Sequence, residues 1–140
     1  MLLPQTAEYA LRAVLHIASH EGPARVGQIA SAIDVPQNYL SKTLNQLVRV
    51  GVLTSARGPA GGFQLALPPD ALTLERIVSA FSGMRARRCL LGMGTCGEVP
   101  HCAAHVRWSP VGTQVSDFFA RTTVADLLHT PSPPTFEVIQ

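Results

Sequence analysis

A chain of 140 residues, 46% of them hydrophobic, can build one domain with a core and a short oligomerisation arm, and its composition excludes the disordered class. No run of about 18 apolar residues occurs, so no membrane-spanning helix is expected. The opening, Met1 to Glu8, lacks the basic head and apolar stretch of a secretory signal, which points to the cytoplasm and reduced thiols. The net charge of +2 assigns no partner by itself. Between Arg25 and Gly62, however, Arg25, Lys42, Arg49 and Arg57 stand against one carboxylate, Asp34, a balance that suits a polyanion or an ordinary solvated surface.

Thr6 is placed to cap a first helix from Ala7 to about His20, closed by Gly22. Ala10, Val14 and Ile17 give it a buried stripe, while Glu8, Arg12 and His16 line another face, where Glu8 and Arg12 are spaced to pair. Val26, Ile29, Ala30 and Ile33 predict a short second helix, broken by Asp34-Val35-Pro36. A third helix runs from about Pro36 to Val50 and ends at Gly51, with Leu40, Leu44, Leu47 and Val48 inward. Its other side carries Gln37, Asn38, Ser41, Lys42, Asn45 and Arg49, without a carboxylate. A helix, a tight turn and a second helix with this face read as a helix-turn-helix: the amides can read adenine edges, and Ser41 and Lys42 can reach phosphates of double-stranded DNA. An amphipathic hairpin is the structural alternative, but it would usually mix glutamate into the exposed face.

Leu53-Thr54-Ser55 and Phe63 to Leu67 predict two strands joined by Ala56-Arg57-Gly58-Pro59-Ala60-Gly61-Gly62. Three glycines and a proline with an arginine at the tip make a wing: Gly58, Pro59, Gly61 and Gly62 let the backbone approach a phosphate or the minor groove, and Arg57 supplies charge. Thr73 is placed to cap a helix to about Phe81, stopped by Ser82-Gly83.

All three cysteines come next, as Cys89-x6-Cys96-x5-Cys102, with His105 three residues on and Arg85, Arg87 and Arg88 just before. Glycines and Pro100 keep this loop irregular, so its thiols can turn to a common point, and the arginines favour thiolates. An odd, clustered, intracellular set argues for metal binding or redox sensing over structural disulfides. Three thiolates with a histidine or carboxylate suit an iron–sulfur cluster or a tetrahedral zinc; the gaps are wide for zinc and lack ferredoxin spacing, and a metal-free thiol switch is a third option. Further on, Ser109-Pro110 either kinks a helix or starts a new one, and Val111, Val115, Phe118 and Phe119 make an apolar stripe that asks for a second copy of the chain. Thr123 to Leu128 is a last short helix, expected to fold back on this dimer arm, before a proline-rich tail. No Ser/His/Asp arrangement, phosphate-cradling loop or paired carboxylates suggest an enzyme.

Residues 1–128 resemble the IscR/NsrR-type winged-helix transcription regulators of bacteria. The resemblance rests on Thr6-Ala7-Glu8-Tyr9-Ala10-Leu11-Arg12, Tyr39-Leu40-Ser41-Lys42, Arg57-Gly58-Pro59-Ala60-Gly61-Gly62-Phe63, the three-cysteine loop, and Leu127-Leu128. It implies a homodimer whose iron–sulfur cluster, [2Fe-2S] or [4Fe-4S], tunes promoter binding. Cys89, Cys96 and Cys102 match the cluster ligands. The fourth ligand matches His105 in IscR-like members or Glu8, from the other subunit, in NsrR-like members; His101 is a third candidate. The first cysteine gap is one residue longer than in IscR.

The expected protein is therefore mainly α: a winged helix-turn-helix DNA-binding domain over 1–83 with a two-stranded wing, a cluster-binding loop over 84–105, a C-terminal dimerisation helix and short final helix over 106–129, and a flexible tail over 130–140. The expected function is a transcription regulator, a repressor in the simplest reading, whose cluster senses iron–sulfur status, nitric oxide or redox state. The alternative keeps the winged helix but uses zinc or bare thiols as the switch.

Overall fold

The computed structural model describes residues 3–81, 90–91 and 102–130. Residues 131–140 of the predicted tail, together with Cys89, Cys96 and His101, lie outside them. The elements are helix α1 (Gln5–Ser19), α2 (Val26–Ile33), α3 (Gln37–Arg49), strands β1 (Leu53–Ala56) and β2 (Gly62–Leu65), α4 (Leu74–Val78) continued by a 3-10 turn (Ser79–Phe81), α5 (His105–Arg121) and α6 (Val124–His129).

Helix α1 runs through the centre, packed by α2, α3, α4, α6 and β2. Its small residues Ala7, Ala10 and Ala13 are fully buried beside Val14, which lets neighbouring elements approach it closely. The helix starts earlier than Thr6 predicts. Pro4 is the cap residue, its carbonyl accepting from Ala7 N–H at 3.0 Å and Glu8 N–H at 3.2 Å. Proline at φ −60° is already extended, so it wins over the threonine two residues later. Arg12 sits over the Tyr9 ring, its guanidinium carbon 5.7 Å from the centroid.

Asp34 takes the left-handed conformation, φ 56° and ψ 54°, as the predicted break between α2 and α3 requires. Pro36 caps α3 instead of opening it, and Leu40 N–H donates to its carbonyl. The strands pair antiparallel, Leu53 opposite Leu65 and Ala56 opposite Gly62, so β2 is shorter than expected and β1 a residue longer. Ala24 extends this ladder: its N–H donates to the Phe63 carbonyl at 3.0 Å, and Phe63 N–H returns a bond of 2.8 Å. Gly62 is required there. Its φ is 146°, and a Cβ would stand 2.7 Å from the Ala24 carbonyl oxygen.

Helix α5 is continuous through Pro110, so the proline lies inside the helix and does not start a new one. The proline removes the N–H that would donate to Val106, and Val106 is 83% exposed, where water can solvate that carbonyl. Gly112, Val115 and Phe119, at i, i+3 and i+7, turn inward, and α5 packs on α4. Helix α6 does not fold back on α5 as expected. It packs on α1, because backbone bonds from Leu74 to Thr122, Val124 to Leu72 and Ala125 to Pro69 seat its start on the segment after the wing.

Thr123 and Asp126 cap α6 reciprocally: Thr123 N–H donates to Asp126 Oδ2 at 2.8 Å, and Asp126 N–H to Thr123 Oγ1 at 3.2 Å. The backbone bond from Thr123, then the Thr123 side chain, holds the Asp126 carboxyl below its usual range. A depressed folded value means stability that is complete above the unfolded value of about 3.9 and is lost as pH falls through the folded one. Thermal melts of Asp126→Ala should therefore lie below wild type near neutral pH, with the gap closing as pH falls below the ordinary carboxylate range.

Candidate nucleic-acid interface and cysteine segment

Leu40, Leu44 and Leu47 are completely buried, and this fixes the opposite side of α3 outward. Asn38, Lys42, Asn45 and Arg49 succeed one another at i, i+4, i+7 and i+11 along that side, all exposed. Gln37 and Ser41 flank this stripe. Gln37 is exposed, while Ser41 is half-buried and its hydroxyl donates to the Gln37 carbonyl at 2.9 Å, so in this conformation its oxygen is offered to an incoming donor. On the other flank Tyr39 is 56% exposed, an aromatic residue beside the polar stripe. In the sequence Tyr39 served only as a marker of resemblance. Its place next to Asn38, one position off the inward leucines, was the available signal.

The wing divides into two parts. Arg57, Gly58 and Pro59 are exposed at its tip. Gly61 is buried, its N–H donating to the Gly58 carbonyl at 2.9 Å, and a Cβ there would lie 2.3 Å from the Ala56 oxygen. Gly61 and Gly62 thus shape the loop, and the surface it offers belongs to the three residues before Ala60. Arg25, counted in the sequence only as a charge, donates from its guanidinium to the Pro59 carbonyl. An open groove of about 420 Å³ lies between α2 and α3, with Ser31, Asp34 and Gln37 among its walls.

Two side chains tie α3 to the elements beyond the wing. Arg76 of α4 donates to the Val50 carbonyl at 3.3 Å, and Gln46 of α3 reaches the Ala80 carbonyl at 3.5 Å. Ala80 belongs to the 3-10 turn that leads towards Cys89. Beyond the cysteines, α5 packs on the same α4.

Of the predicted cluster ligands, Cys102, His105 and Glu8 lie among the described residues, and all three are half-buried. His105 opens α5 and its N–H donates to the Cys102 carbonyl at 3.0 Å, so the two sit across one turn. Glu8 stands in the first turn of α1. Among the described residues no group of three or more His, Cys, Asp or Glu converges on a metal position.

A cationic, amide-bearing helix presented by a helix-turn-helix beside an arginine-tipped wing defines a winged-helix DNA-binding protein. Residues 3–130 match the Rrf2 family, described as iron-dependent transcriptional regulators, and the chain belongs to that family. It is 31% identical over 132 residues to the HTH-type transcriptional regulator IscR of Erwinia tasmaniensis, covering 92% of this chain and 79% of that one. Among solved structures it resembles IscR of T. potens, with a TM-score of 0.73 at 22% identity over 91% of this chain and 86% of that one. It also resembles CymR, the global cysteine regulator of B. subtilis, with a TM-score of 0.71 at 24% identity over 94% and 99%. The chain is thus a transcriptional regulator and its relatives are not enzymes. Among the described residues no helix is long and apolar enough to cross a membrane.

If the outward stripe reads DNA, Lys42→Ala should weaken binding evenly across sequences and lower the slope of log K against log salt by about 1. Asn45→Ala should instead relax the preference at one base position, at a cost of about 1–3 kcal/mol. Titrations of a promoter fragment and its point variants over a range of salt separate the two.

Proposed function

We propose that the chain works as a homodimer whose paired α3 helices enter successive major grooves of an operator, and whose operator affinity is set by an iron–sulfur cluster on Cys89, Cys96, Cys102 and a fourth ligand. The observation that carries the reading is the carboxylate-free stripe Asn38, Lys42, Asn45 and Arg49 in a chain that also sets Cys102 and His105 across one turn at the head of α5. In this reading Gln37, Asn38 and Asn45 meet base edges, Lys42 and Arg49 meet the backbone, joined by Ser41 once its hydroxyl turns from the Gln37 carbonyl to a phosphate oxygen, and Arg57, Gly58 and Pro59 approach the minor groove, shaped by Gly61 and Gly62.

A second copy is favoured by the outer face of α5. Val111 and Phe118, seven residues apart, are 44% and 52% exposed, although Phe119 beside them is buried. A repeat of seven on an exposed helix suits packing against its own copy. Two α3 helices would then meet half-sites about one helical turn apart, so repression by blocking a promoter is the simplest outcome.

The donor chemistry fits the cofactor. Cys102 brings a soft thiolate and His105 an imidazole, and the positive end of α5 beside them favours an anionic ligand set. His105 is the stronger candidate for the fourth ligand within one chain, and Glu8 remains the candidate for a ligand donated by the other copy. When bound, a cluster supplies a cross-link that oxidants, nitric oxide or iron shortage can remove. The chain carries the rest. Cys102 and His105 hold the start of α5, α5 packs on α4, and Arg76 and Gln46 tie α4 and its 3-10 turn to α3. A small shift of these elements changes the distance between the two reading helices. A coupling of roughly 1–3 kcal/mol gives a several-fold to hundred-fold response.

The likeness to CymR, named as a cysteine regulator, favours one other reading, in which bare thiols or zinc form the switch. Purification without oxygen decides between them. The cluster reading expects a coloured protein containing iron and sulfide, and a Cys102→Ala variant that loses both the visible absorption and the dependence of operator affinity on oxidant. A colourless, iron-free wild type that still answers oxidant would leave the thiol reading in its place.

A further inference from the structure

A wing is a two-stranded projection, and two strands alone hold a marginal pose in water. Here two contacts from outside the hairpin brace it. Along its ladder, one pair short of the turn, Ala24 exchanges two backbone hydrogen bonds with Phe63. At its tip, the next residue, Arg25, reaches the Pro59 carbonyl, 34 positions along the chain. That carbonyl belongs to the turn and lies beyond the ladder, which ends with Ala56 opposite Gly62. Arg25 is itself held. It is the cap residue of α2, and its N–H donates to Gln28 Oε1 at 3.0 Å, so its guanidinium works from a fixed backbone.

We propose that Arg25 is a positioning residue for DNA reading: it clamps the wing tip to the start of α2, so that Arg57 and the α3 stripe meet the duplex as one rigid unit. The assignment rests on the reading of the wing as a DNA contact. The guanidinium suits the task because its fork of donors keeps geometry on a single carbonyl, where an ammonium would swivel. With one guanidinium nitrogen held on the Pro59 carbonyl, Arg25 acts on DNA through Arg57. Without the clamp, the turn beyond the ladder samples more poses before binding, and ordering it is charged against affinity.

The full chain tests this, with a duplex enriched by the wild-type protein from a random library of roughly 30 base pairs, long enough for two half-sites. The variants are Arg25→Ala, Arg57→Ala and the pair. Expected for Arg25→Ala are amide exchange at Gly61 faster by about tenfold with α1 unchanged, and duplex affinity weaker by about five- to tenfold. With Arg57→Ala already present, Arg25→Ala should cost less than about twofold, since the two act as one. Unchanged exchange at the wing would overturn the clamp. So would additive losses, which would make Arg25 a DNA contact in its own right. Should Arg57→Ala leave affinity untouched, the wing reading falls, and the clamp is then upheld or overturned by the exchange rates alone.

Discussion

The complete burial of Leu40, Leu44 and Leu47 decides the direction in which α3 looks. Fully burying one such side chain is worth about 1.5–3 kcal/mol, so rotating the helix would expose three of them at a cost near the whole stability of a small domain. The outward stripe is therefore as fixed as the core. Thr43, the buried polar residue of that helix, is kept from conflict by returning its hydroxyl to the Tyr39 carbonyl at 3.4 Å. Under the proposed function, specificity is carried by positions that the core does not constrain, and the core in turn keeps those positions facing outward.

The remaining elements are arranged around that orientation. Ala7, Ala10 and Ala13 make α1 narrow enough for α2, α3, α4 and α6 to share it. Arg76 and Gln46 then connect the C-terminal half of α3 to the turn before the cysteine segment. Each of these is a modest hydrogen bond, worth about 0.5–1.5 kcal/mol. That scale matches a regulator, in which coupling must be strong enough to change occupancy and weak enough to be reversed.

Much of the reading head was legible because its signals are local. Helical spacing, the Asp34-Val35-Pro36 break and the glycine-rich wing each lie within a few residues. The departures come from competition or from distance. Pro4 and Thr6 both suit a helix start, and sequence alone does not rank two such residues when they stand so close together. Phe118 and Phe119 are equally apolar, yet their rings meet edge-on at 5.4 Å with one turned in and one out, a choice made by the packing of α5 on α4. The seat of α6 depends on backbone bonds to Pro69 and Leu72, and backbone bonds leave no pattern of residue types. Arg25 reads as a charge until Pro59 is brought to it. For the cysteines, spacing names the donor types but not their convergence, and Cys89 and Cys96 lie outside the described residues.

The bridge between Thr73 and Thr123, with the bonds from Leu74 to Thr122 and from Val124 to Leu72, closes the chain on itself. The chain leaves this crossing into α4 and comes back to it at the end of α5. The entropic cost of closing such an excursion grows only slowly with its length. The segment joining α4 to α5 could thus change in size or chemistry while α4 and α5 keep their seats on the winged helix-turn-helix, which under the proposed function is where a sensor would be exchanged. One scaffold could in this way acquire many stimuli.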